Sequence, residues 1–414
     1  MKSGVAAGCR VPGKPNLLLG AYDIASLGYT ADEFFVSGAA CSYAPDGEFG
    51  SDGRWDAVPS GVADYVTRIV VLRPTDDARF NGTVLVEWLI VSGGIDAPAV
   101  WFLAHREVVR EGHAYVAVSA QQVGVDGGAR LGGNMSLKTL DPERYSRLSH
   151  PGDAFSYDIF SQVGQVVREG AGNGVLGPLS PEFVVAVGES LSAMFLTTYV
   201  NAVDPLVKVY DGFLVHSRFG PAAPLDGMSI FAASESGVPE AVKFRPDLRV
   251  PLLTVITETD LVGAARAGYY LARQPDNEWL RTWEIPGTAH ADNYHDPGCP
   301  DRHRFRTAGS DRGRLRSDQH PDGSEVVVFH QFRPAAPLCP PSGDRRPARL
   351  GPHRRDCARR ATRGVERRRS TSADPGCERD RDGRCPYSLG RRADCPDILH
   401  RRRGECPVRS LRYR

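Results

Sequence analysis

The run Gly188-Glu189-Ser190-Leu191-Ser192 sets a serine where an apolar strand pattern, Phe183 to Val187, gives way to a helical one, Leu191 to Val203. A serine in a tight strand-to-helix turn is presented at the end of a sheet, and small neighbours keep the backbone clear of it. This is the setting a nucleophile needs. The fifth position is Ser192 where glycine is usual, and a G-x-S-x-small pattern alone also fits a satisfied turn serine. A serine attacks only if a base takes its proton, and the base needs a carboxylate to fix its tautomer. Two later strand patterns supply both in the order Ser, acid, His. Leu252 to Thr257 ends in Glu258-Thr259-Asp260-Leu261-Val262, and Trp279 to Ile285 ends in Pro286-Gly287-Thr288-Ala289-His290. Asp260 is the expected acid ahead of Glu258, because it lies a few residues past its strand and precedes a hydrophobic pair; helix capping is the competing role for it. His290, in a glycine-containing loop after the last strand, is the expected base. Of the other histidines before the tail (His105, His113, His150, His216 and His295), His105 falls mid-helix and His113 just before a strand, both structural positions.

The expected oxyanion donors are the backbone N–H of Leu191 and a second N–H from the loop after strand 83–89, around Leu89 to Gly93. His216 and Arg218 follow the strand pattern 209–215 on the same side and are candidate substrate-binding residues. An arginine there can clamp a carboxylate or simply pair with a protein acid. Asp292 and His295 lack a second ligand cluster, so no metal is expected. The glycine-rich runs at 124–133 and 170–177 do not open a helix as a phosphate cradle must, and no cofactor is implied.

These residues need a frame. Short apolar, β-branched runs at 65–72, 83–89, 115–119, 183–187, 209–215, 252–257 and 279–285 read as strands. Between them, helical patterns cover 96–112, with Asp96 as N-cap and Gly112 as stop, then 153–169, 191–203 and 263–273. Strands alternating with helices, several of them apolar throughout, predict an α/β fold with a mostly parallel sheet covered on both faces. Residues 1–60 form a lead-in with little periodicity that leaves room for first strands. Residues 61–298 form the core, and the loop-like segments 124–152 and 219–248 are candidate lids.

The net charge of +1 over 414 residues hides a split. Residues 1–300 carry 22 Lys and Arg against 35 Asp and Glu, whereas residues 301–414 carry 29 against 15, every cation an arginine. Seven of the nine cysteines fall from Cys299 onward, with irregular spacing and no CxxC pair, which supports neither a zinc site nor a disulfide framework. No apolar run suits a signal-peptide core or a membrane span, so a cytoplasmic protein without a membrane segment is expected.

The stretches TRIVVLRP, RFNGTVLVEW, SGGIDAPAVW, AYVAVSAQQVGV, HPGDAFSYDIFSQ, GESLSA, YVNAVDPL, DGFLVHSR, TETDL and GTAHAD, in order from about residue 36 to 296, resemble the large bacterial family of alpha/beta hydrolase domain proteins. The resemblance implies an α/β-hydrolase fold with Ser190 in the nucleophile elbow, and it fits Asp260 and His290 as partners. Leu191 stands where that family commonly has Gln and Ile90 where it commonly has Asn, both beside the expected oxyanion hole. The family supplies no substrate.

After about Tyr294 the resemblance stops. Residues 299–414 are Arg-, Pro- and Gly-rich, without lysine or apolar periodicity, as a GC-rich gene read out of frame would be. Reading Phe329 to Pro337 with one base dropped gives a segment similar to a C-terminal piece of the same family. A disordered, out-of-frame tail is therefore expected. Its rival, an Arg-rich arm for nucleic acid, is weakened by the interspersed acids. Loss of the helix that normally follows the His loop would expose apolar sheet and lower stability. The expected function is hydrolysis of a small-molecule carboxylic ester or amide through Ser190, His290 and Asp260, with no nucleic-acid partner. An acyltransferase using the same residues and an inactive, pseudogene-derived product are the alternatives.

Overall fold

Among the described residues, nine strands hydrogen-bond into one sheet: β1 (Ala6–Val11), β2 (Tyr29–Pro45), β3 (Ala57–Pro74), β4 (Thr83–Trp88), β5 (Ala114–Val118), β6 (Phe183–Glu189), β7 (Gly212–His216), β8 (Leu252–Thr257) and β9 (Leu280–Ile285). Their spatial order is β1-β2-β3-β5-β4-β6-β7-β8-β9. The first four in that order pair antiparallel. From β5 across to β9 every pairing is parallel. The computed structural model describes residues 6–19, 23–128, 133–230, 235–263 and 267–291. All of these belong to the unit Met1–Leu338; a second unit, Cys339–Arg414, and with it the expected out-of-frame tail, lies outside the described residues.

The helices are α1 (Ala99–Glu111), α2 (Gln122–Asp126), α3 (Leu137–Leu140), α4 (Ser156–Arg168), α5 (Leu191–Thr198), α6 (Asp204–Val207) and α7 (Glu258–Val262), with a π-helical stretch, Tyr199–Val203, joining α5 to α6. Of the parallel strands, β4 to β8 are buried almost throughout, which is why they read as apolar runs, whereas the edge strand β9 buries only Leu280. On one face Val86, Val116, Ala186 and Val215 pack with Phe160, Val163 and Val167 of α4 and with Met194 and Leu196 of α5. On the other, Leu85, Tyr115, Val185, Leu214 and Val255 pack with Trp101, Phe102 and Val108 of α1. Each such large side chain taken out of water contributes about 1.5–3 kcal/mol, so the two layers fix the height and tilt of the strand ends where the candidate residues sit.

The room left for first strands in the lead-in is filled, and three expectations about elements need correction. The lead-in 1–60 holds β1, β2 and the start of β3, and β2 pairs with β3 from Tyr29↔Pro74 to Pro45↔Ala57. Much of this ribbon is only half-buried, so small and polar residues occupy both of its faces and the period-two signal is lost. The strand patterns 65–72 and 209–215 are β3 and β7 with shifted limits. Asp96 does not cap α1: the helix begins at Ala99, and its first free N–H groups, on Val100 and Trp101, donate to the buried carboxylate of Glu87 at 2.8 and 3.1 Å. Gly112 does stop it, at φ 75°, a conformation only glycine adopts without strain. Finally, the described residues of 263–273 do not form the expected helix; among them a single 3-10 turn, Tyr269–Ala272, is seen. A β-carbon on Gly268 would lie 2.3 Å from the carbonyl oxygen of Leu261, so the chain folds back on α7 too tightly for helix.

Candidate active site

Ser190 sits at the turn between β6 and α5 with φ 55° and ψ −115°. A non-glycine residue in such a region costs about 1–3 kcal/mol and persists only where its surroundings over-determine it. Here they do. The Ser190 N–H donates to the carbonyl of His216 at 3.0 Å, and its own carbonyl accepts from the Met194 N–H at 3.1 Å. A β-carbon on Gly188 would approach Leu196 Cδ1 to 2.9 Å, so this residue must stay small for α5 to lie against β6.

The hydroxyl of Ser190 is 2.8 Å from His290 Nε2. On the other side of the ring, Nδ1 is 2.5 Å from Asp260 Oδ1. Asp260 is fully buried in α7, and its second oxygen accepts the N–H and the hydroxyl of Thr257 at 3.1 and 2.6 Å. Burial alone would raise the Asp260 carboxyl, but the hydrogen bonds from His290 and Thr257 outweigh it and hold the group below the ordinary carboxylate range. Asp260 also takes the capping role weighed against it, since it forms a capping box with Thr257. Glu258 goes elsewhere and accepts the Gly287 N–H at 2.7 Å. Thr259 Oγ1 accepts the backbone N–H of His290 at 2.7 Å. Three consecutive side chains of α7 thus tie down the loop that carries the imidazole. The Phe219 ring stands 5.0 Å from it, centroid to centroid.

The Leu191 N–H lies in the first turn of α5, where no carbonyl of its own helix is in reach. The Leu89 amide, expected as a second donor, instead donates to the Val118 carbonyl at 3.2 Å and is spent on the sheet. Beyond it the chain folds into a small hairpin: Ile90 and Ala97 exchange N–H···O bonds at 3.1 and 2.9 Å, and Gly94 N–H donates to Val91 at 2.9 Å. Asp96 anchors this hairpin from below, with Oδ2 2.8 Å from Arg68 Nη2 and also bonded to Ser119 Oγ, all three residues being buried.

Arg218 fits neither reading made of it. It is fully buried, donates to the carbonyls of Phe219 and Gly220 at 3.0 Å and to that of Val242, and lies over the rings of Phe244 and Tyr269. Burial lowers its guanidinium to about 10. The guanidinium pins the chain around Gly220 and Val242 from inside, because carbonyl oxygens and aromatic faces are the partners the turn offers it. His216 is half-buried at the end of β7, its carbonyl holding Ser190. His105 Nδ1 contacts the Trp101 carbonyl, His113 Nδ1 contacts Asn81, and His150 Nε2 contacts the Ala120 carbonyl, all structural positions. Asp292 and His295 lie outside the described residues, within which no three His, Cys, Asp or Glu residues group as a metal site.

Two acidic side chains near the site escaped the sequence reading. Glu87 caps α1, as described above. Glu189, buried beside Ser190, brings Oε1 to 3.9 Å from His290 Nε2. A charged residue as the x of G-x-S-x-S, at the end of a strand buried throughout, was the available signal. A surface hollow of about 440 Å³, lined by Arg273, Gln274, Pro275, Thr282 and Glu284, contains none of these residues. Among the described residues no helix is long and apolar enough to cross a membrane.

Residues 6–326 match the family described as Alpha/beta hydrolase domain. No curated protein matches the chain. Among solved structures, the esterase Est22 is 14% identical, with 70% of this chain and 82% of that one covered and a TM-score of 0.38. A glucuronoyl esterase from Solibacter usitatus is 10% identical over 71% of this chain and 83% of its own, at a TM-score of 0.36. A serine hydrolase without a lid from Xanthomonas campestris is 12% identical over 61% and 86%, at 0.33. The family match spans the sheet, the turn at Ser190 and the loops of Asp260 and His290, and on that match the chain belongs to the Alpha/beta hydrolase domain family.

Proposed function

We propose that this protein is a serine hydrolase of carboxylic esters, with Ser190 as nucleophile, His290 as general base and acid, and Asp260 as the carboxylate that orients the imidazole. The observation that carries the proposal is the unbroken line from Ser190 Oγ through both ring nitrogens of His290 to Asp260, set on a strained turn.

In acylation, Ser190 Oγ bonds to the carbonyl carbon while its proton passes to His290 Nε2, and the carbonyl π pair moves onto oxygen as an oxyanion. The tetrahedral centre then collapses, the bond to the alcohol oxygen breaks, and the Nε2 proton leaves with the alcohol. Water repeats the sequence on the acyl-enzyme: it gives a proton to Nε2, bonds to the acyl carbon, and the proton returns to Ser190 as the acid departs. Imidazole serves because Asp260 holds Nδ1 as the donor and leaves Nε2 free to accept. The Leu191 N–H is one oxyanion donor. With the Leu89 amide occupied, the second comes from Val91 to Gly93, on the hairpin anchored by Asp96.

Fluorophosphonate labelling of the full chain beside Ser190→Ala tests this. Labelling that vanishes in the variant supports the proposal. A parent chain that melts cooperatively yet takes no label overturns it.

A further inference from the structure

Resting on the hydrolase reading, we propose that Glu189 is a second positioning carboxylate for His290: with Asp260 it flanks the imidazolium formed when Ser190 gives up its proton, and it sets the pH range in which the base works.

The geometry places the two carboxylates differently. Asp260 lies against Nδ1 at hydrogen-bond distance, whereas Glu189 Oε1 lies 3.9 Å from Nε2, the atom that gains and loses the proton. That distance is too long for a hydrogen bond and short for a charge interaction. Glu189 therefore leaves Nε2 to Ser190 while acting on the charge that develops there. It is 3% exposed, and its backbone is locked as the last residue of β6, opposite His216 in the β7 ladder. The screening that weakens surface pairs is largely absent at such a site. Among the described residues, the titratable groups facing the imidazole are Asp260 from α7 and Glu189 from β6, with His216 of β7 opposite Glu189 in the ladder; Glu258 is turned to the Gly287 N–H. Phe219 closes another side of the ring without charge. A carboxylate within about 4–6 Å favours the cationic form of an imidazole over the neutral one. A Glu189 that only filled space would do nothing of the kind.

The test is the rate of fluorophosphonate labelling of the full chain as a function of pH. In this reaction Ser190 Oγ bonds to phosphorus, fluoride leaves and His290 receives the serine proton. Glu189→Gln keeps the shape and removes the charge; Glu189→Asp keeps the charge and withdraws it by one methylene. The expected result is an acid limb shifted to lower pH by about one unit in Glu189→Gln, with a plateau about tenfold lower. Glu189→Asp should shift the same way by less. An unmoved limb in whichever variant melts like the parent overturns the proposal, and a rate loss without a limb shift counts the same way. A parent chain that takes no label at Ser190 is a different failure: it removes the hydrolase reading and this inference with it.

Discussion

Replacing Asp260 by Asn isolates the one hydrogen bond that decides which nitrogen of His290 can act as a base. Asp260 Oδ2 already accepts two donors from Thr257, its N–H at 3.1 Å and its hydroxyl at 2.6 Å. An asparagine must turn its oxygen toward those two donors, because the reverse would set its NH₂ against both. Its NH₂ then faces His290 Nδ1, now 2.5 Å from Oδ1, donor against donor. The ring escapes by moving its proton to Nε2, where it points at Ser190 and can no longer accept the serine proton. The same tautomer error in Ser-His-Asp enzymes lowers kcat by about 10⁴, or about 5 kcal/mol of barrier. We therefore expect Asp260→Asn to slow fluorophosphonate labelling and the hydrolysis of p-nitrophenyl esters by about 10³–10⁴. Glu258→Gln, whose side chain only accepts the Gly287 N–H, should stay within about threefold of the parent. Measured side by side at pH 8, an Asp260→Asn chain that keeps a tenth of the parent rate refutes the reasoning, and so does a Glu258→Gln chain that loses as much.

Strain at Ser190 gives a second expectation: Ser190→Gly should be more stable than Ser190→Ala by about 1 kcal/mol and so melt at higher temperature, because only glycine adopts φ 55° freely, and equal melting would disprove it. Glu87 supplies a third. Burial raises its carboxyl to about 7 against the hydrogen bonds from Tyr115, Val100 and Trp101. The unfolded chain thus ionises first, and this group's contribution to stability is present at low pH and lost between about pH 4.5 and 7. Glu87→Gln should gain on the parent across that window by up to about 3 kcal/mol in denaturant unfolding, and a difference that stays flat with pH refutes the assignment. The out-of-frame reading of residues 299–414 is checked by the DNA across codons 290–300 in several isolates, where an intact frame in every one would sink it; the family match itself runs to residue 326, past the start of that stretch.

The parts of this protein legible in the sequence are those where one local rule acts alone. β4 to β8 are buried almost throughout, so they read as largely apolar runs, and their spacing sets the α/β class. Ser190, Asp260 and His290 each follow such a strand, and chain order alone singles them out; the structure brings their side chains together. The choice of Asp260 over Glu258 also rests on position along the chain, since Asp260 lies a few residues past its strand and precedes the hydrophobic pair Leu261-Val262. What remained hidden depends on partners far away in sequence. β1 and β2 form a half-exposed ribbon whose partners, not its own pattern, make it a strand. Capping of α1 passed from Asp96 to Glu87 because Asp96 is held against Arg68 and Ser119, beside the Ile90–Ala97 hairpin. The Leu89 N–H, expected to serve as a donor in the site, goes to the Val118 carbonyl, and Arg218 is held inward by carbonyls and rings as far along the chain as Tyr269. Glu189 looks like any charged residue at a strand end until His290 comes to lie beside it. Burial and hydrogen-bond competition are properties of the packed chain, and a residue's neighbours in sequence do not reveal which distant group will claim its polar atoms.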